Sequence, residues 1–157
     1  MVAAMLLAAV TLLYAGYNLL IKLSGTHVPA SATTTVLATV CLQVAALSTS
    51  VLFLGFLAAQ GGHVFSLAPR AYFWAVLAGL CIGAAEIGYF YLFGGIGLDR
   101  PMQAGVAIPV IVAGTVAIAT VASAVLFGEA FGWRQLAGAA LVASGIVLIF
   151  LEPGALR

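Results

Sequence analysis

Five apolar stretches, each close to the roughly 20 residues that a helix needs to cross a bilayer's hydrocarbon core, dominate this chain and leave it few possible folds. They cover residues 2–23, 29–60, 70–97, 101–128 and 133–151. In lipid only helices and closed barrels satisfy every backbone group, and barrel strands are short and alternate in polarity, as these runs do not. The sequence therefore predicts an all-α polytopic membrane protein, with five transmembrane helices in a single domain over residues 1–157. Composition agrees: at 65% hydrophobic and 6% charged residues, the chain lacks the polar surface that a water-soluble domain needs.

The breaks carry turn formers and charges: Gly25, His27 and Pro29; Gly61, Gly62 and His63; Asp99, Arg100 and Pro101; Glu129 and Gly132. None is long enough to form a domain, so any functional site must come from the helices themselves. The second stretch exceeds what a bilayer requires, which predicts tilt or emergent ends, and Ser48, Thr49 and Ser50 give it a polar notch. Met1 opens directly on an apolar run with no charged segment before it, and the first span is expected to be retained.

The cations Lys22, Arg70, Arg100, Arg134 and Arg157 are scattered, with no basic run to track a nucleic-acid backbone, which excludes nucleic acid as a partner. With the N-terminus cytoplasmic, Arg70 and Arg134 fall inside and Lys22, Arg100 and Arg157 outside, so the usual inner excess of positive charge is missing. That balance predicts insertion both ways round, or orientation by a partner. Cys41 and Cys81 lie in separate apolar spans and read as buried free thiols rather than a disulfide or a metal site. His27 and His63 read as solvated loop residues. No zinc-spaced His-Glu cluster, phosphate-binding glycine loop or Gly-x-Ser-x-Gly elbow is present, so neither an enzyme, a cofactor nor a bound metal is expected.

Glu86 is the exception to this apolar pattern. It sits near the middle of the third stretch, whereas Asp99, Glu129 and Glu152 lie near stretch ends. A carboxyl at bilayer depth is costly unless it is protonated, paired or turned toward a water-filled cavity. Helical spacing puts Gly79, Gly83, Glu86, Tyr89, Phe90 and Phe93 on one stripe, and the Gly79–Gly83 spacing would let a neighbouring backbone approach beside the carboxyl. Tyr89 and Phe90 offer aromatic faces to an organic cation. Two readings follow, a proton- or cation-binding site and a protonated Glu held for packing alone.

The first stretch carries a second polar row, Thr11, Tyr14, Asn18 and Lys22, with Tyr17 beside it. Tyr14 and Asn18 are candidate cavity residues, or else make interhelical hydrogen bonds; Lys22 either snorkels to headgroups or joins a site. Gln43 and Gln103 read as amides bonding between helices. Tyr72, Trp74 and Trp133 read as interface anchors, and Pro109 as a kink in the fourth helix.

The run from Pro109 to Gly128-Glu129, followed by Trp133-Arg134-Gln135, Gly138 and Gly145, resembles the end of a drug/metabolite transporter repeat, the EamA domain. There a proline-bearing helix ends in Gly-Glu, a short turn leads to Gln-x-x-Gly, and the last helix carries a second glycine. The opening Tyr14-Ala-Gly-Tyr-Asn18 with Lys22 resembles that repeat's first helix. The resemblance spans essentially the whole chain as one five-helix repeat. Most members carry two repeats of opposite orientation with the substrate cavity between them, so a single repeat implies pairing, as a homodimer or with a related chain. The related small multidrug resistance proteins dimerise through glycines seven apart on their last helix, the spacing that Gly138 and Gly145 keep. Those proteins use a Glu on the first helix, where this chain has no acid, so their exchange mechanism does not carry over to Glu86.

The resemblance implies a half-size transporter in a bacterial inner membrane, surrounded by lipid, moving a small organic metabolite or amphiphile by alternating access. Glu86, Tyr89, Tyr14 and Asn18 would bind substrate or proton, and Gly79, Gly83, Gly138 and Gly145 would pack helices. Two rival expectations stand beside it: a non-transporting subunit packed on a larger membrane complex, and a lipid or lipid-linked sugar flippase subunit.

Overall fold

The computed structural model describes residues 1–151; Glu152 and Arg157, both counted in the charge balance, lie outside the described residues. Five α-helices account for nearly all of it: α1 (Val2–Gly25), α2 (Ala32–Gln60), α3 (Pro69–Gly94), α4 (Ala104–Phe127) and α5 (Trp133–Leu151), with no strand among the described residues. The first four, α1 to α4, are long and apolar enough to cross a membrane, with mean hydropathies from 1.7 to 2.4. α5 is the shortest, at 19 residues. This is the helix inventory of an integral membrane protein.

Local chemistry trims the expected boundaries. α2 starts at Ala32 rather than at Pro29 because Ser31, in extended conformation, caps it: the Ser31 hydroxyl accepts from the Thr34 N–H at 3.3 Å. α3 ends at Gly94, three residues before the expected Gly97, because Gly95 turns left-handed at φ 71°. The Ile96 N–H then closes back on the Tyr91 carbonyl at 3.1 Å, the bond that terminates a helix in a Schellman turn. α4 runs through Pro109 and stops at Gly128, again left-handed at φ 65°.

The helices group into two compact units, one of Met1–Leu19 with the chain from Asp99 onward, the other of Leu20–Leu98. In the first, α4 packs on α5; in the second, α2 packs on α3. α1 contributes to both, since the division falls inside it. The second unit holds most of the buried side chains: Ile21 from the end of α1, Thr35 and Thr39 from α2, and Glu86, Tyr89, Phe90 and Phe93 from α3. α1 closes on α3 at Gly25, where an added Cβ would lie 3.2 Å from the Phe93 Cβ.

Cys41 and Cys81 are free, but both are exposed on their helices rather than buried. The Ser48, Thr49 and Ser50 hydroxyls likewise form no interior notch. They are exposed and donate to the carbonyls of Val44, Ala45 and Ala46 on their own helix at 2.8 to 3.2 Å, so lipid exposure leaves no donor unsatisfied.

Candidate functional site

Glu86 stands eight residues before the end of α3, about 12 Å along the axis, on a helix whose 26 residues make it about 39 Å long. It is thus two-thirds of the way along rather than central, because α3 starts at Pro69 and stops at Gly94. A 30 Å core centred on such a helix would still hold the carboxyl several ångströms inside. Its side chain is 3% exposed, and its Oε2 has no hydrogen-bond partner.

The reason for burial is the stripe on which Glu86 lies. Tyr89, Phe90 and Phe93 follow it at helical spacing and are themselves buried, with Tyr89 and Phe93 edge to face at 5.6 Å between ring centroids. Lys22, near the end of α1, lays its ammonium over the Phe93 ring at 5.1 Å from the centroid, a cation–π contact rather than a simple reach to the headgroups.

α2, which packs on α3, supplies further buried polar groups. Thr35 and Thr39 are 1% and 2% exposed, and the Thr39 hydroxyl donates to the Thr35 carbonyl at 3.0 Å. Gln43 continues the same face one turn further on, where it is exposed, and its Nε2 lies 3.1 Å from where a Gly83 Cβ would stand. The close neighbour at Gly83 is therefore a side-chain amide rather than a backbone, and Gly79 has open space beside it. Sequence reasoning passed over Thr35 and Thr39. The signal was present in the four-residue spacing of Thr35, Thr39 and Gln43, which places all three on one helical face.

Tyr14 and Asn18 belong to the first unit. Asn18 is 5% exposed; its Nδ2 donates to the Tyr14 carbonyl at 2.9 Å, and its Oδ1 has no partner. The Tyr14 side chain is exposed and meets Tyr17 edge to face at 6.2 Å, while the Tyr17 hydroxyl is buried without a partner. Thr11 donates to the Leu7 carbonyl at 2.8 Å and is exposed, so the polar row of α1 divides into a lipid-compatible half and a buried half. The structure thus brings Glu86 and Tyr89 together on one buried face, whereas Tyr14 meets the buried Asn18 only through its backbone carbonyl and leaves its own side chain exposed.

Among the described residues, nothing lies within 4 Å of a Cβ added at Gly138 or Gly145. Gln103 is exposed at the start of α4, where its carbonyl receives the N–H groups of Val106 and Ala107. Tyr72, Trp74 and Trp133 are exposed near helix starts, and His27 and His63 are exposed in loops. Two shallow apolar grooves line α3 with its following turn and α4, of about 560 and 630 Å³, and neither includes Glu86. No group of three or more metal-ligating side chains occurs among the described residues. No family model, curated protein or solved structure matches the chain.

Proposed function

We propose that this protein is a half-size carrier of the drug/metabolite transporter superfamily, a five-helix protomer that pairs and moves a small organic metabolite or amphiphile across a bacterial inner membrane. The observation that carries this reading is the Glu86 carboxyl, buried within a membrane-length helix with one oxygen left without a partner. Buried polar atoms held for packing alone are nearly always hydrogen-bonded, whereas a carboxyl that takes up and releases a proton or cation must keep an oxygen available. Tyr89, Phe90 and Phe93 give that carboxyl an aromatic wall suited to an organic cation. In the first unit, the Asn18 Oδ1 is a further buried acceptor left open to a ligand.

Two features support pairing. α5, about 28 Å long from its 19 residues, is taken as a fifth crossing, and its Gly138 and Gly145 leave room for a neighbouring backbone. A single repeat completed by a second one follows the inverted-repeat logic of secondary transporters.

The test is uptake into proteoliposomes of the impermeant cation N,N,N-trimethyl-2-phenylethylammonium under an imposed pH gradient. Glu86→Gln is expected to lower uptake to the leak of empty vesicles while the native mass of the assembly stays unchanged. Wild-type uptake by Glu86→Gln overturns the reading. A second reading, an accessory subunit of a larger complex, draws support from the two apolar grooves, which are lined by no acidic or basic side chain. It requires co-purification in fixed ratio with larger membrane subunits.

A further inference from the structure

We infer that Glu86, Thr39 and Gln43 form a three-acceptor site selective for a primary ammonium group, with Gln43 as its specificity-determining residue; this rests on the carrier reading of Glu86. α2 and α3 pack on each other and, as consecutive membrane crossings joined by residues 61–68, run antiparallel. With Gln43 lying against Gly83, the turn of α2 one step earlier, at Thr39, falls level with the turn of α3 one step later, at Glu86. One stretch of the α2–α3 contact thus carries a carboxyl, a hydroxyl and an amide within about a helical turn of one another.

Their chemistry is biased toward acceptance. The Glu86 Oε2 is buried and without a partner. The Thr39 hydroxyl has already given its proton to the Thr35 carbonyl, so only its lone pairs remain for a ligand. Gln43 contributes its amide oxygen through rotation of the side chain, which is exposed and stands beside the space that Gly83 leaves by having no Cβ. A primary ammonium has three N–H donors for these three oxygens and neutralises the carboxylate as it binds. A quaternary ammonium has none, and can use only charge and the aromatic faces.

The chain itself holds an ammonium in the same buried cluster, since the Lys22 Nζ sits over Phe93, two turns along α3 from Glu86. That contact sets a primary ammonium against one ring of the aromatic wall. Access is also graded along the helix pair: Glu86 and Thr39 are buried, Gly83 is half-buried and Gln43 is exposed, so a cation arriving along Gly83 meets the amide before the carboxyl.

The experiment is calorimetric binding to the purified, lipid-reconstituted protein of 2-phenylethylammonium and its N,N,N-trimethyl analogue, which share one skeleton. The wild type is expected to bind the primary cation at least about tenfold more tightly, the size of one charge-assisted hydrogen bond. Gln43→Leu should bring the two affinities within about twofold by weakening the primary cation alone. Thr39→Val should narrow the gap in the same direction, and Glu86→Gln should weaken both cations. Equal wild-type affinities, no binding of either cation, or an undiminished preference in Gln43→Leu would each overturn the inference. The uptake experiment on Glu86→Gln judges the carrier reading separately, because it uses only the quaternary cation and leaves Gln43 intact.

Discussion

Gly25 is where α1 meets α3 most closely, and it limits how the second unit can pack. A Cβ at that position would stand 3.2 Å from the Phe93 Cβ, and Phe93 is itself 1% exposed beneath the Lys22 ammonium. Gly25→Val must therefore push the end of α1 away from α3. The expected cost is about 1–3 kcal/mol, the usual range for overpacking a filled site, read as a lower thermal midpoint in detergent together with loss of the Lys22–Phe93 contact. An unchanged midpoint would show that this contact contributes nothing to the fold. Residue by residue, the sequence discloses a site only where side-chain chemistry conflicts with lipid. Glu86 stands out because no carboxyl is cheap at that depth. Thr39 does not, because a hydroxyl in a helix can satisfy itself on the carbonyl four residues back whether it faces protein or lipid. Thr39 and Ser48 make the same kind of bond, yet one is buried and the other exposed.

Helix lengths were legible from apolar runs because the bilayer thickness fixes them, but helix ends were not, because several residues at each end can serve as the stop. Gly94, Gly95 and Gly97 all offer to end α3, and only the return bond from the Ile96 N–H to the Tyr91 carbonyl selects Gly95. At the start of α2, Pro29 permits a helical first turn, yet Ser31 takes the cap and leaves residues 29–31 as a turn closed by the Ser31 N–H on the Pro29 carbonyl at 2.7 Å. The Ser31 hydroxyl also contacts the Thr33 and Thr34 hydroxyls, at 3.1 and 2.7 Å, so this one side chain organises the entry to the helix that carries Thr35 and Thr39. Ser31→Ala should destabilise the first turn of α2 by about 1 kcal/mol, seen as faster amide exchange at Thr34 and Thr35 with the rest of α2 unaffected. Protection equal to wild type at Thr34 would mean that the neighbouring threonines replace the cap.

At the scale of the whole molecule, apolarity specifies that the helices enter lipid but not which of them meet. Apart from the polar residues of α1, α2 and α3 already named, the helices are apolar over most of their circumference, and between helices already in lipid no hydrophobic force distinguishes a protein-facing side from a lipid-facing one. Packing then depends on close fit, which is why the grouping of α2 with α3 and of α4 with α5 could not be read from the sequence. The glycines of α5 are the clearest remaining surface for such a fit. Gly138 and Gly145 are seven residues apart, hence two turns on one face, and among the described residues nothing beyond their own helical turns lies within 4 Å of a Cβ added at either. If pairing of protomers runs through that stripe, as proposed, bulk there must block assembly without unfolding the protomer, since a Cβ added at either position meets none of the described residues within 4 Å. The double substitution Gly138→Leu and Gly145→Leu should convert a species of twice the protomer mass in native mass spectrometry into one of protomer mass, with helical circular dichroism unchanged. Persistence of the paired species would move the interface elsewhere, to the open face at Gly79. A wild-type protein that runs only in fixed ratio with larger, unrelated subunits would replace the paired carrier with the accessory subunit.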